Sequence, residues 1–244
     1  MDKSLTNTYS YTVLPEDLDG RRHFRAVALE RMLLNVAYNA ANDRGFGALK
    51  LIDSGSVSWV LLKFAVEMDR LPAEEETVTI ETWVETVNRM LTTRNFTIRD
   101  SSGKTIGNAA TQWTIINLET RRPVNITADT SIMNVVNPMP VPVALPGKLP
   151  EVQAETSHSL KVSYSDIDYN GHTNSMQYLQ WMLDSYPIEA LYNRRIARLE
   201  ITYIKEALYG EPVSIHFEEL PDGSTAFAAR GTSGDFARAR IVWG

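Results

Sequence analysis

The chain has 244 residues, a formal net charge of −6, and 43% hydrophobic against 22% charged residues, the balance of a soluble globular protein able to bury a sizeable core. It has no cysteine, which excludes disulfides, thiolate metal sites and a cysteine nucleophile. The acidic balance argues against generic binding to nucleic acid or anionic membrane. With no apolar leader in M-D-K-S-L-T-N-T-Y-S-Y and no apolar run near the roughly 18 residues that span a bilayer, a cytoplasmic location is expected.

In chain order, the first half begins with E-D-L-D-G-R-R-H from Glu16 to His23 and continues into a helical pattern that runs past Leu34. Val27, Met32, Leu33, Val36, Ala37 and Ala40 form an apolar stripe on that helix, which needs a sheet to cover it. Four alternating or β-branched runs follow, from Ser56 to Met68, Thr77 to Thr86, Met90 to Arg99 and Lys104 to Asn117. Turn formers such as D-S-S-G at Asp100 bound them, as in an antiparallel meander. The acid run Glu74-Glu75-Glu76 reads as a solvated face at a turn.

Five of the eleven prolines fall between Val135 and Pro150, so this stretch reads as an extended linker laid along a surface. Beyond it the order repeats. S-D-I-D-Y-N-G-H, from Ser165 to His172, precedes a helical pattern to Leu183, and runs beginning at Arg198, Pro212, Ser224 and Asp235 read as strands. At a constant offset, Asp17, Asp19 and His23 fall on Asp166, Asp168 and His172, while Leu29 and Met32 fall on Tyr178 and Trp181. The chain reads as a tandem duplication. Its expected organisation is a module over residues 1–140, a proline-rich linker over 141–155 and a second module over 156–244, the boundary falling near residue 145.

The chemistry concentrates in D-Y-N-G-H. Asn-Gly is a turn dipeptide, and Asp, Asn or Thr before an apolar helix is a preferred N-cap, which accounts for Gly171, Thr173 and Asn174. Asp168, Asn170 and His172 occupy alternate positions, and in an extended segment they project from one face. Beside the partial positive charge of a helix N-terminus, that patch suits a carbonyl on which negative charge develops. Capping and catalysis both remain open on these residues alone. The first copy carries Arg21 where the second has Asn170, so the second is the one expected to work. His158, His216 and His23 are weaker candidates, Lys205-Glu206 reads as a solvated pair at a strand end, and no zinc spacing, phosphate loop or nucleophile elbow occurs.

Several stretches together resemble the acyl-[acyl carrier protein] thioesterases of the plant and bacterial type. They are S-W-V-L-L-K-F-A-V-E-M-D-R-L-P from Ser58, R-N-F-T-I-R-D from Arg94, S-D-I-D-Y-N-G-H-T-N from Ser165 and L-E-I-T-Y-I-K-E-A from Leu199. The resemblance implies an α+β fold, a tandem double hotdog in which each module is a curved antiparallel sheet wrapped around a long helix. It implies hydrolysis of a fatty acyl thioester on acyl carrier protein, releasing free fatty acid, with no metal or other cofactor. The family's catalytic residues fall on Asp168, Asn170, His172 and Glu206. The cysteine that follows the glutamate in plant members is Ala207 here, leaving water or a carboxylate as the attacking group.

The resemblance also places the acyl chain in the N-terminal module, with Met32, Trp59 and Trp83 as lining candidates. The acidic carrier protein is expected to dock on basic residues such as Arg21-Arg22, Arg121-Arg122 and Arg194-Arg195. Rival readings are an acyl-coenzyme A thioesterase on the same fold, a hydratase and a non-catalytic acyl-binding protein. Chain-length preference follows from packing rather than from a motif, and a monomer and a homodimer are both compatible with a fused double module.

Overall fold

A computed structural model describes residues 5–128, 130–155 and 157–244; the first four residues of the stretch read above for a leader lie outside the described residues. The chain divides into two compact units, Met1–Leu145 and Pro146–Gly244.

The first unit contains β1 (Thr6–Thr12), α1 (Ala26–Asp43), α2 (Ala48–Gly55), β2 (Val57–Met68), β3 (Thr77–Val87), β4 (Thr92–Arg99), β5 (Thr105–Asn117) and α3 (Thr130–Met133). Its strands pair antiparallel in the order β1-β3-β4-β5-β2. The second unit contains β6 (His158–Lys161), α4 (Ser175–Asp184), α5 (Ile188–Asn193), β7 (Ile196–Tyr203), β8 (Pro212–Glu219), β9 (Thr225–Gly231) and β10 (Gly234–Trp243). Its order, β6-β8-β9-β10-β7, repeats the connectivity of the first, again antiparallel. Both units are antiparallel sheet with few helices.

The α1 stripe is buried as its spacing requires, with Leu29, Met32 and Leu33 at 1% exposure or less, although Val27 stays partly exposed. Burying each such side chain stabilises by about 1.5–3 kcal/mol. Pairing fixes which sheet face meets α1. Tyr9, whose hydroxyl bonds Asp43 of α1, lies opposite Ile80; Ile80 pairs with Ile98, and Thr82 with Phe96. Period-two alternation therefore turns Ile80, Thr82, Phe96 and Ile98 to α1, and Trp83 and Asn95 to the opposite face.

Three expectations change. The short helices α2 and α5 break no turn rule and show no long stripe, so the sequence pattern passes over them. Strand β7 ends at Tyr203, which leaves Glu206 in a loop rather than on a strand. The proline-rich segment is more than a surface strap. Val143 and Val152 are 2% and 1% exposed, Val152 packs with Ala226 and Ala228, and the Asn137 amide donates to Val84 O at 2.8 Å.

Candidate active site

Residues 166–174 are a tight turn, not the extended segment that the alternate spacing implied. Ile167 and Thr173 form an isolated bridge, Asp168 N donates to His172 O at 2.8 Å, and Gly171 N donates to Asp168 O at 3.0 Å. Gly171 sits at φ 78°, the left-handed region where a Cβ is strained. Asp168 Oδ1 accepts from the amides of Asn170 (2.8 Å) and His172 (3.4 Å). One oxygen of its carboxylate, Oδ1, therefore serves the turn, a role that the accounting by turn and cap residues alone does not give to Asp168.

The flanks are equally determined. Asp166, 6% exposed, accepts at Oδ2 from both N and Oγ of Ser163, and its carbonyl accepts from Asn174 N. Asn174 is the N-cap of α4, with Oδ1 accepting from Met176 N at 3.1 Å. Thr173 does more than begin the helix. Its N and Oγ1 both donate to Ala207 O, at 3.0 and 2.9 Å, and Ala207 N donates to the Tyr178 hydroxyl oxygen at 2.8 Å. These bonds fasten the loop after β7 to the start of α4.

Glu206, the residue before Ala207, is thereby held at His172. Glu206 Oε2 lies 3.7 Å from His172 Nε2, the two side chains being 36% and 20% exposed. That separation exceeds a direct hydrogen bond and is within ion-pair reach. Asn170 Oδ1 is buried and accepts no hydrogen bond from the described residues. A half-turn of that carboxamide presents its NH₂ there instead, so the group can meet a ligand carbonyl. Burial pushes the Tyr178 phenol up to about 12, which keeps this loop clamp neutral at ordinary pH.

The first copy builds the same turn and keeps its histidine, His23, but lacks the amide and the glutamate. Asp19 Oδ1 accepts from Arg21 N and His23 N at 2.8 and 2.9 Å, Asp19 N donates to His23 O, and Arg22 takes the place of Gly171 at φ 63°. The loops after β2 and β7 match as well. Val13 N donates to Glu76 O as Val162 N does to Glu211 O. Ala73 N donates to Glu76 Oε2 (2.9 Å) as Leu208 N does to Glu211 Oε2 (2.8 Å). Counting back five positions from each glutamate pairs Leu71 with Glu206. Arg21 and Leu71 thus stand where the second copy has Asn170 and Glu206.

Glu76 is consequently not part of a solvated face. It forms hydrogen bonds of 2.8 and 2.7 Å with Arg70, which hold its carboxyl below the usual range, and it accepts from the Ala73 amide. Among the other candidates, His216 is buried between Ala154 O (3.0 Å) and Ser214 Oγ (2.9 Å), His158 is exposed on β6, and His23 lies 3.6 Å from Asp19. Met32 is fully buried on α1. Trp59 donates to Phe46 O at 3.0 Å and packs against Phe46, Ile115, Ile126 and Ile132, and Trp83 is buried on the sheet face away from α1. Arg22 pairs with Glu74, and Arg194 with Glu219. Among the described residues, no group of three or more His, Asp or Glu side chains is placed to hold a metal, and no helix is long and apolar enough to cross a membrane.

The sequence did not reveal the clamp of Thr173, Tyr178 and Ala207. Tyr178 at the position of Leu29, a phenol where the repeat has an aliphatic core residue, was the available signal.

Comparison with known proteins matches residues 4–133 to the acyl-ACP thioesterase N-terminal domain and residues 149–241 to the acyl-ACP thioesterase C-terminal domain. The chain is 27% identical over 208 residues to the chloroplastic oleoyl-acyl carrier protein thioesterase of Coriandrum sativum, aligning 80% of this chain with 56% of that protein. It is 28% identical over 191 residues to oleoyl-acyl carrier protein thioesterase 2 of Arabidopsis thaliana, aligning 73% of this chain with 52% of that one. The chain thus spans about half the length of these curated relatives. Among solved structures, an acyl-ACP thioesterase from Bacteroides thetaiotaomicron superimposes with a TM-score of 0.90 at 32% identity, with 99% of each chain covered. The 12:0-ACP thioesterase from Umbellularia californica has a TM-score of 0.86 at 19% identity, covering 100% of this chain and 99% of that one, a likeness of fold.

Proposed function

The chain belongs to the acyl-ACP thioesterase family, and from that premise we propose that it hydrolyses the thioester of fatty acyl-[acyl carrier protein], releasing free fatty acid and ending chain elongation. The observation that carries this reading is the approach of Glu206 to His172 at 3.7 Å, two residues along the same turn from Asn170 with its buried Oδ1; the first copy keeps the histidine, His23, but has Arg21 and Leu71 in place of Asn170 and Glu206.

In the proposed reaction Glu206 takes a proton from water as the water oxygen attacks the thioester carbonyl carbon. Asn170 Nδ2 donates to the carbonyl oxygen as it becomes an oxyanion. Collapse of the tetrahedral adduct breaks the C–S bond, and the thiol of the carrier's arm leaves with a proton relayed through His172. Asp168 sets the turn that aims Asn170 and His172. A positioned base contributes about 10²–10⁴-fold and an oxyanion donor about 10²–10³-fold, so neither suffices alone.

The finer architecture follows from the same reading. Each unit is a hotdog module, the N-terminal one (residues 1–140) holding the acyl chain near Met32 and Trp59, on a sheet whose α1 side excludes Trp83, and the C-terminal one (residues 156–244) holding the reacting groups. The carrier protein is the macromolecular partner, and the setting is cytoplasmic. The repeated connectivity of the two sheets supports the double module.

The test is release of free thiol from acyl carrier protein and coenzyme A thioesters of several lengths, with Glu206→Gln and Asn170→Ala alongside. The expected result is turnover of the carrier-bound substrate and a loss of about 10²-fold or more in each variant. No release from any thioester, or wild-type rates in both variants, would sink the proposal.

A further inference from the structure

Arg94 is a buried cation that the reaction leaves unused. It lies on β4, 7% exposed, and cross-strand pairing with Val84 and Thr111 puts it on the same sheet face as Phe96, the face that meets α1. Its side chain makes one hydrogen bond among the described residues, Nη1 donating to Thr82 Oγ1 at 3.3 Å, and no ion pair with a carboxylate. The nearby charge makes matters worse for it. Burial and the Arg44 cation draw its pKa down to about 10, opposed by Tyr9, whose own hydroxyl is committed to Asp43. Two residues before it on the same strand and face, Thr92 Oγ1 is also buried without a hydrogen-bond partner.

A guanidinium carries five donors in a rigid fork, and burying it against apolar neighbours costs free energy unless those donors are met. Interiors of this kind usually pair a buried Arg with a carboxylate. Here no carboxylate answers it, and the adjoining unpartnered hydroxyl extends the same polar spot. An apolar residue at this position would avoid that cost, so the arrangement makes sense where a ligand brings the missing acceptor. We propose that Arg94, with Thr92, binds an oxygen substituent on the acyl chain, so that the preferred substrates are oxygenated fatty acyl groups (hydroxy, oxo or carboxylate-bearing) over plain alkyl chains. This rests on the reading above that the acyl chain enters the N-terminal unit.

The probes are methyl dodecanoate, methyl 3-hydroxydodecanoate, methyl 12-hydroxydodecanoate and monomethyl dodecanedioate. Their uncharged ester heads leave the added oxygen as the variable. Binding is read by tryptophan fluorescence on the wild-type chain and on Arg94→Met, and at two further chain lengths. At least one oxygenated ester should bind about tenfold more tightly than its plain counterpart in the wild type, and that preference should shrink to within about twofold in Arg94→Met while the plain ester binds as well or better. Equal or tighter binding of the plain ester by the wild type at every length overturns the inference, and that comparison needs no variant, so it stands even where Arg94→Met does not fold. A preference that survives in folded Arg94→Met overturns it too. Failure of the thioesterase reading shows separately, as absence of thiol release from plain and oxygenated acyl carriers alike.

Discussion

Tyr178 on α4 accepts, at its hydroxyl oxygen, the backbone amide of Ala207 at 2.8 Å. The peptide unit that follows the glutamate facing His172 is thus anchored to α4. Tyr178→Phe keeps the ring packing with Trp181 and Tyr203 but leaves a buried amide without its acceptor, at a cost of about 1–3 kcal/mol. The expected outcome is a Tm lower by roughly 2–4 °C per kcal/mol, with kcat down about tenfold and KM little changed. Steady-state kinetics on a folded variant checks it; a KM effect with unchanged kcat would assign Tyr178 to binding instead.

The duplicated turn provides a control within the same chain. Asp19 and Asp168 accept the same pair of amides, so Asp19→Ala and Asp168→Ala should each lose about 1 kcal/mol of stability. Activity should survive the first and fall about 10²-fold in the second, where the turn carries Asn170 and His172. Asp168→Asn keeps the acceptor and should stay within about tenfold of wild type. If Asp168→Asn is as inactive as Asp168→Ala, the carboxylate itself takes part in the chemistry, and label from ¹⁸O-water appearing first in the protein would identify it as the attacking group.

Acid titration should isolate the loop after β2. Hydrogen bonds from Arg70 hold the Glu76 carboxyl below its ordinary value of about 4.3, so the folded state binds this proton less readily than the unfolded chain. The stabilisation is complete above that ordinary value and fades as pH falls through the folded one. Glu76→Gln should cost about 1 kcal/mol at pH 7, discounted for the half-exposed Arg70, and the two Tm curves should converge as pH falls through the folded value. Parallel curves throughout the acid range would show that the pair contributes nothing through ionisation.

Carrier docking should show in ionic strength. With kcat/KM measured from 50 to 500 mM salt, the carrier-bound substrate should slow steeply while a small acyl thioester barely changes. Equal slopes for the two would remove steering from the account.

The strands after each long helix were legible as alternating or β-branched runs bounded by turn formers, even where β4 and β9 are buried on both faces, and Pro212–Glu219 was bounded correctly. The turn at 168–172 was legible as a turn through Asn-Gly, but its first copy was not, since Arg22 adopts a positive φ that the sequence rule reserves for glycine and asparagine. Glu206 was invisible to local reasoning for a different reason. Its position depends on bonds from Thr173 and Tyr178, residues distant in sequence that look like cap and core. The Glu76 anchor was hidden because an acid run at a turn has the same composition whether it is solvated or bonded to an Arg six residues earlier.

Ala207 sets a limit on redesign. It is 0% exposed, and its amide and carbonyl are both bound from the α4 side. A cysteine installed there would carry its sulfur into packed surroundings that raise a thiol's pKa and bar a bulky acyl group. Resistance to alkylating reagents is therefore a property of this backbone position as well as of the residue that it holds, and a cysteine placed at 207 would not by itself supply a nucleophile.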